Sequence, residues 1–133
     1  MAEEVDHIGI IVDNLEETIK IYRLIGLEVK EIESSVDLKS KLAFLPVGGT
    51  SIELIEFQDP VLAGSILSLD VSQKGMHHVA LRVPDLGQAL SRLRKHDLRL
   101  LSGPSKGSRG SKVAWLDPRD TGKVLIELVE RSK

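Results

Sequence analysis

Val5-Asp6-His7-Ile8-Gly9-Ile10-Ile11-Val12-Asp13-Asn14-Leu15 returns 71 residues later as Met76-His77-His78-Val79-Ala80-Leu81-Arg82-Val83-Pro84-Asp85-Leu86, with His7 answered by His78. Working outward, Ala43-Phe44-Leu45 is echoed by Ala114-Trp115-Leu116, and Ile52-Glu53-Leu54-Ile55-Glu56 by Ile126-Glu127-Leu128-Val129-Glu130. An internal repeat governs every later inference about a fold. It makes this chain two copies of one unit, each with a histidine and a glutamate inside apolar strand patterns.

Within each copy the pattern reads strand, helix, then three strands. Ile8, Ile10 and Val12 alternate with His7, Gly9 and Ile11, the period of two that gives a strand two distinct faces. Asn14 with Glu17, and Asp85 with Gln88, sit as N-cap and third helical residue. Leu15, Ile19 and Tyr22, then Leu86, Leu90 and Leu93, form the apolar stripes behind those caps, and Gly26 stops the first helix. Extended segments follow at Leu27–Ile32, Lys41–Pro46 and Ser51–Phe57, and again at Leu98–Ser102, Lys112–Leu116 and Lys123–Val129. Residues 58–74 lie outside the repeat, with a helical stretch around Val61–Leu69. The expected fold is α+β, a single domain of two tandem β-α-β-β-β modules, about 4–57 and 75–131, joined by linker 58–74. Its eight strands are expected to form a cupped mixed sheet around a central metal cleft.

Alternation decides where the polar residues point. Ile52 and Leu54 flank Glu53, Ile126 and Leu128 flank Glu127, and those apolar neighbours require the helix-covered core. His7, Glu53, His78 and Glu127 must then project from the other sheet face, where Gly9 and Ala80 leave room. A lone strand histidine is usually structural, and a lone strand glutamate usually faces solvent. A duplicated quartet of imidazoles and carboxylates among Ile, Leu and Val is costly to bury without a cation. Two imidazoles and two carboxylates suit a divalent metal. His77 has the opposite parity and is matched by Asp6, while His96 lies at a helix end, so neither is an expected ligand.

Composition removes other classes. The chain has 133 residues, 41% of them hydrophobic, enough for a continuous core. Its 18 Lys and Arg against 20 Asp and Glu, interspersed, leave no footprint for nucleic acid or an anionic membrane. There is no cysteine, so disulfides and thiolate chemistry are excluded. No apolar run approaches the roughly 20 residues of a membrane span. The start Met1-Ala2-Glu3-Glu4 is acidic and unlike a signal segment, so a cytoplasmic location is expected.

At these residues the chain resembles the vicinal-oxygen-chelate superfamily, whose paired β-α-β-β-β modules surround a metal. Within it the likeness is closest to the methylmalonyl-CoA epimerase family. It is carried by Asp6-His7-Ile8-Gly9-Ile10, Ala43 to Gly48, Ile52 to Glu56, Met76 to Val83, and Thr121-Gly122-Lys123-Val124-Leu125-Ile126-Glu127-Leu128. The resemblance implies His7, Glu53, His78 and Glu127 as metal ligands and Gly107-Ser108-Arg109-Gly110 as a loop near the substrate. Arg82 is expected to face the cleft by strand parity. Asp117-Pro118-Arg119 and Lys123 depart from the family's residues, so the loop over the substrate differs. Some epimerases carry a second base on the strand before Pro46, where this chain reads Lys39-Ser40-Lys41-Leu42. The expected base is therefore Glu127, with Lys41 as its partner.

The implied activity is metal-dependent epimerisation of methylmalonyl-CoA between its 2R and 2S forms, by removal of the C2 proton through a metal-chelated enolate. One divalent ion per chain is expected, Co2+ first and Mn2+, Ni2+ or Zn2+ next, in a homodimer acting on a small acyl-CoA. The alternatives are a glyoxalase I-type lactoylglutathione lyase, which uses the same four donors, and a metal-free small-molecule-binding protein, which would be expected to lose them. An extradiol dioxygenase needs two histidines and one carboxylate, so a fourth strand ligand argues against it.

Overall fold

The computed structural model describes residues 1–132. In chain order the elements are β1 (Glu4–Ile11), α1 (Leu15–Leu24), β2 (Glu31–Ser35), β3 (Ser40–Val47), β4 (Thr50–Phe57), α2 (Pro60–Leu67), β5 (Gly75–Arg82), α3 (Leu86–Lys95), β6 (Leu100–Lys106), β7 (Lys112–Leu116) and β8 (Ile126–Glu130). The class is α+β and both modules follow the expected β-α-β-β-β order. Two compact units emerge, residues 7–77 and residues 1–6 with 78 onward, so the chain crosses between units within β1.

In the first unit the strand order is β2-β3-β4-β1 and in the second β5-β8-β7-β6, eight strands of a mixed sheet. Each unit has one parallel pairing at matching places: β1 with β4, aligning Gly9 with Glu53, and β5 with β8, aligning Ala80 with Glu127. The pairs β2–β3, β3–β4, β6–β7 and β7–β8 are antiparallel.

Helix starts are set twice over in each unit. Asn14 Oδ1 accepts from Glu17 N–H at 2.9 Å, and Asp85 Oδ1 from Gln88 N–H at 3.0 Å. Glu56 and Glu130, the last residues of the second echo, then accept from Leu15 N–H and Leu86 N–H at 2.9 and 2.8 Å. Carboxylates at a helix N-terminus satisfy exposed donors and oppose the positive end of the helix dipole. Below α1, Ile19 and Leu15 pack with Ala43, Leu45 and Leu54. Below α3, Leu86, Ala89 and Leu90 pack with Ala114, Leu116 and Leu128. Each cluster is the odd or even set that alternation assigns to the helix face.

Three boundaries differ from the sequence reading. Leu27 and Val29 pack against the α1 cluster instead of joining a ladder, and β2 begins only at Glu31. β6 runs on to Lys106 through register shifts against β7, which no periodic pattern announces. Residues 121–123 form a turn with Lys123 at φ 67°, so β8 starts at Ile126.

Candidate metal centre

In the first unit β1 presents His7 and β4 presents Glu53, exposed only 2% and 5%. His7 Nε2 stands 3.4 Å from Glu53 Oε2. Phe44, opposite Glu53 in the β3–β4 ladder, sets its ring edge-on to the imidazole, 6.4 Å between centroids. The second unit repeats this with β5, β8 and β7. His78 Nε2 stands 3.5 Å from Glu127 Oε1, and Trp115, opposite Glu127, meets His78 edge-on at 4.8 Å. The Phe44/Trp115 echo therefore marks the wall against which each histidine is held.

Both nitrogen–oxygen distances exceed the usual 2.7–3.2 Å of an N–H···O hydrogen bond. They match the spacing of two donors on one cation: with bonds of about 2.1 Å, neighbouring ligands lie about 3.0 Å apart at right angles and about 3.4 Å apart at the tetrahedral angle. Each pair offers one imidazole nitrogen and one carboxylate oxygen, in surroundings where an uncompensated charge costs several kcal/mol. These donors fit a divalent ion on both chemistry and spacing.

The other expected residues are placed as follows. His77 Nε2 lies 2.8 Å from the Asp70 carbonyl oxygen, in the linker. Lys41 is corrected: it shares the parity of Ala43 and Leu45, which pack under α1, and pairs in the ladder with Glu56, the carboxylate that caps α1. Its side chain leaves β3 on the face away from Phe44 and Glu53. Arg82 keeps the parity of His78 and Ala80 in β5, and its Nε and Nη2 donate to Asp6 Oδ1 at 2.9 and 2.7 Å and its Nη1 to Glu4 at 2.6 Å.

Gly107-Ser108-Arg109-Gly110 forms a tight turn ahead of β7. A Cβ on Gly107 would come within 2.5 Å of Val113 Cγ1 and 2.6 Å of Ser111 Oγ, so only glycine allows this approach. Val113 packs with Ala80 and Val129, and by alternation these three lie on the face that carries His78 and Glu127. Beyond β7, Asp117 accepts from Arg119 N–H at 2.9 Å and from its Nη2 at 2.7 Å. The Arg119 side chain first, then its backbone N–H, holds the Asp117 carboxyl down to about 2.

Sequence reasoning passed over three features. Glu56 and Glu130 were visible in the echo but carried no assigned role. Glu31 and Glu33 face the same side as Glu53, since β2 pairs them with Phe44 and Leu42. Asp6 and Arg131, 125 residues apart, are joined by two hydrogen bonds.

The family model described as Glyoxalase/Bleomycin resistance protein/Dioxygenase superfamily matches residues 6–115. The chain is 34% identical to an uncharacterised protein, YqjC, of Bacillus subtilis over 94% of this chain and 90% of that one. It is 32% identical to mouse mitochondrial methylmalonyl-CoA epimerase over 92% of this chain and 70% of that one. A substituted Streptomyces coelicolor methylmalonyl-CoA epimerase, solved in complex with 2-nitronate-propionyl-CoA, superposes with a TM-score of 0.84 at 28% identity, covering 99% of this chain and 96% of that one.

Proposed function

This chain belongs to the glyoxalase/bleomycin resistance protein/dioxygenase superfamily, and on that footing we propose that it is a metal-dependent epimerase interconverting the 2R and 2S forms of methylmalonyl-CoA. The observation that carries the reading is the duplicated buried His–Glu pair, each against an aromatic edge, in a chain similar to named epimerases over most of its length. We assign His7, Glu53, His78 and Glu127 to one divalent cation, Co2+ first and Mn2+, Ni2+ or Zn2+ next. Support comes from donor chemistry: His7, Glu53, His78 and Glu127 are all buried imidazole or carboxylate side chains, the donor types a divalent ion takes. Such a cation supplies positive charge for the oxygen that becomes enolate-like as the C2 proton leaves.

The remaining work falls to the chain's own side chains. Glu127 accepts the C2 proton at a carboxylate oxygen, and the C–H electron pair moves toward the thioester. Glu33, on the face of Glu53, replaces Lys41 as the proposed carrier that returns a proton on the opposite side of C2. Buried Phe44, Val113 and Val129 keep water from the ionised intermediate. Gly107 to Gly110 takes the substrate contacts, with Arg82, held by Asp6 and Glu4, as the further cationic contact.

The chain works, in this proposal, as one domain of modules 4–57 and 75–131 on linker 58–74, as a homodimer and in the cytoplasm. No helix among the described residues is long and apolar enough to cross a membrane. A glyoxalase I-type lyase uses the same four donors, and the epimerase reading is preferred because the named relatives are epimerases. The test is direct: the metal-loaded protein is given one epimer of methylmalonyl-CoA, and separately a glutathione hemithioacetal. Turnover of the hemithioacetal alone would replace this reading with the lyase.

A further inference from the structure

Arg131 is the side chain that the functional reading leaves unused. Its Nη2 and Nε donate to Asp6 Oδ2 and Oδ1 at 2.7 and 3.1 Å, and its Nη1 donates to the Ser108 carbonyl at 3.0 Å. The Asp6 side chain is fully buried, and the Arg131 side chain is only 17% exposed. One buried carboxylate thus fixes a guanidinium whose third donor reaches the backbone of the Gly107–Gly110 turn. That same Ser108 carbonyl accepts from Ser111 N–H at 3.2 Å and Ser111 Oγ at 2.8 Å, while Gly107 N–H donates to the Ser111 carbonyl at 3.0 Å. Ser132 Oγ adds a contact to the Gly110 carbonyl at 3.4 Å. Between these anchors Arg109 is held in the left-handed region, φ 53°, which a non-glycine residue adopts only where its surroundings impose it.

We propose that the Asp6–Arg131 pair is the positioning device of the substrate loop: it fixes the Ser108 carbonyl, and so the backbone of Ser108, Arg109 and Gly110, for an anionic acyl-CoA. This rests on the proposed function for the identity of the ligand, but the anchoring itself belongs to the chain alone. Arginine is required because one planar fork must serve a carboxylate and a carbonyl together; lysine offers a single charged point that reaches one of them. Arg82 shares Asp6 and donates its second carboxylate contact to Glu4, whereas Arg131 carries that carboxylate on to the Ser108 carbonyl.

Two measurements on the full, metal-loaded protein test this. In native-state trypsin digestion followed by mass spectrometry, cleavage after Arg109 should be slow in the wild type, about 10-fold or more faster in Arg131→Met, and intermediate in Arg131→Lys, as expected for loss of a hydrogen bond from a charged donor. In steady-state epimerisation, Arg131→Met should raise KM for methylmalonyl-CoA about 10- to 100-fold and leave kcat within about twofold, because the anchor acts on binding and not on the C2 proton. Arg131→Lys should recover part of that KM, which serves if Arg131→Met does not fold. Unchanged cleavage after Arg109 in both variants would overturn the anchoring. Faster cleavage with unchanged KM would overturn the link to substrate, as would a loss confined to kcat. A wild-type protein inactive on the thioester would instead sink the functional reading, while the digestion still reports on the anchor.

Discussion

Replacing Glu53 by Met separates what the metal site contributes to chemistry from what it costs in stability. Glu53 is 5% exposed, flanked on its own face by Phe44 and Ile55, and its Oε2 stands 3.4 Å from His7 Nε2. Methionine fills nearly the same volume without a charge. Replacing a buried ion pair by apolar groups of similar volume is often neutral or stabilising by about 1–4 kcal/mol because no uncompensated charge is left behind, and Glu53→Met takes its own buried charge away. With chelator present, Glu53→Met should therefore melt at or above the wild type, by up to about 20 °C at about 2–5 °C per kcal/mol for a chain of this length. With Co2+ at about 100 times its dissociation constant the wild type should gain about 2.7 kcal/mol, and the variant little or nothing. Differential scanning calorimetry with and without cation reads both arms. A variant that melts well below the wild type in chelator would mean that Glu53 is a structural partner of His7. An equal cobalt-induced rise in both proteins would remove Glu53 from the ligand set.

Glu127→Gln keeps an amide oxygen for the cation but loses the proton acceptor, so it should retain metal and lose about 100- to 10,000-fold in turnover; near-normal C2 exchange would leave Glu127 a ligand only. Glu33→Gln should still exchange the C2 proton of one epimer with solvent deuterium while inversion slows about 100-fold or more, and wild-type inversion would return the second carrier to the unassigned residues. By elemental analysis His78→Ala should lose bound metal and His77→Ala should keep it, since neighbouring strand residues point to opposite faces; the reverse result would mean that the register around Gly75 is wrong. The Asp117 carboxyl is drawn down to about 2 by Arg119, so the stability it contributes is present above the unfolded value of about 3.9 and is lost only as pH falls through about 2. A carbon-detected NMR titration giving an ordinary carboxylate midpoint would contradict that contact.

Much of this was legible in the sequence because a repeat doubles every signal. One His, one Glu and one capping Asn or Asp in a single copy are ambiguous, but His7/His78 and Asn14/Asp85, both 71 residues apart, with Glu53/Glu127 74 apart, share a cause. Alternation then sorted Leu54 from Glu53 and Leu128 from Glu127, and the helix-face clusters follow that sorting. What failed was whatever lacks a period. Lys41 was drawn toward the site by its place in the chain, although its parity with Ala43 already put it on the helix face. Leu27 and Val29 look like a strand yet serve as packing under α1. Arg82 and Arg131 meet Asp6 from 76 and 125 residues away, and no local pattern marks a partner at that distance.

The most direct test is to incubate the cobalt-loaded protein in deuterated water with a single epimer of methylmalonyl-CoA and follow the mixture by NMR and mass spectrometry. Uptake of one deuterium at C2 together with conversion to the other epimer is predicted, stopped by chelator and restored by adding the cation back. A folded, cobalt-bearing protein that leaves the C2 proton in place would contradict it.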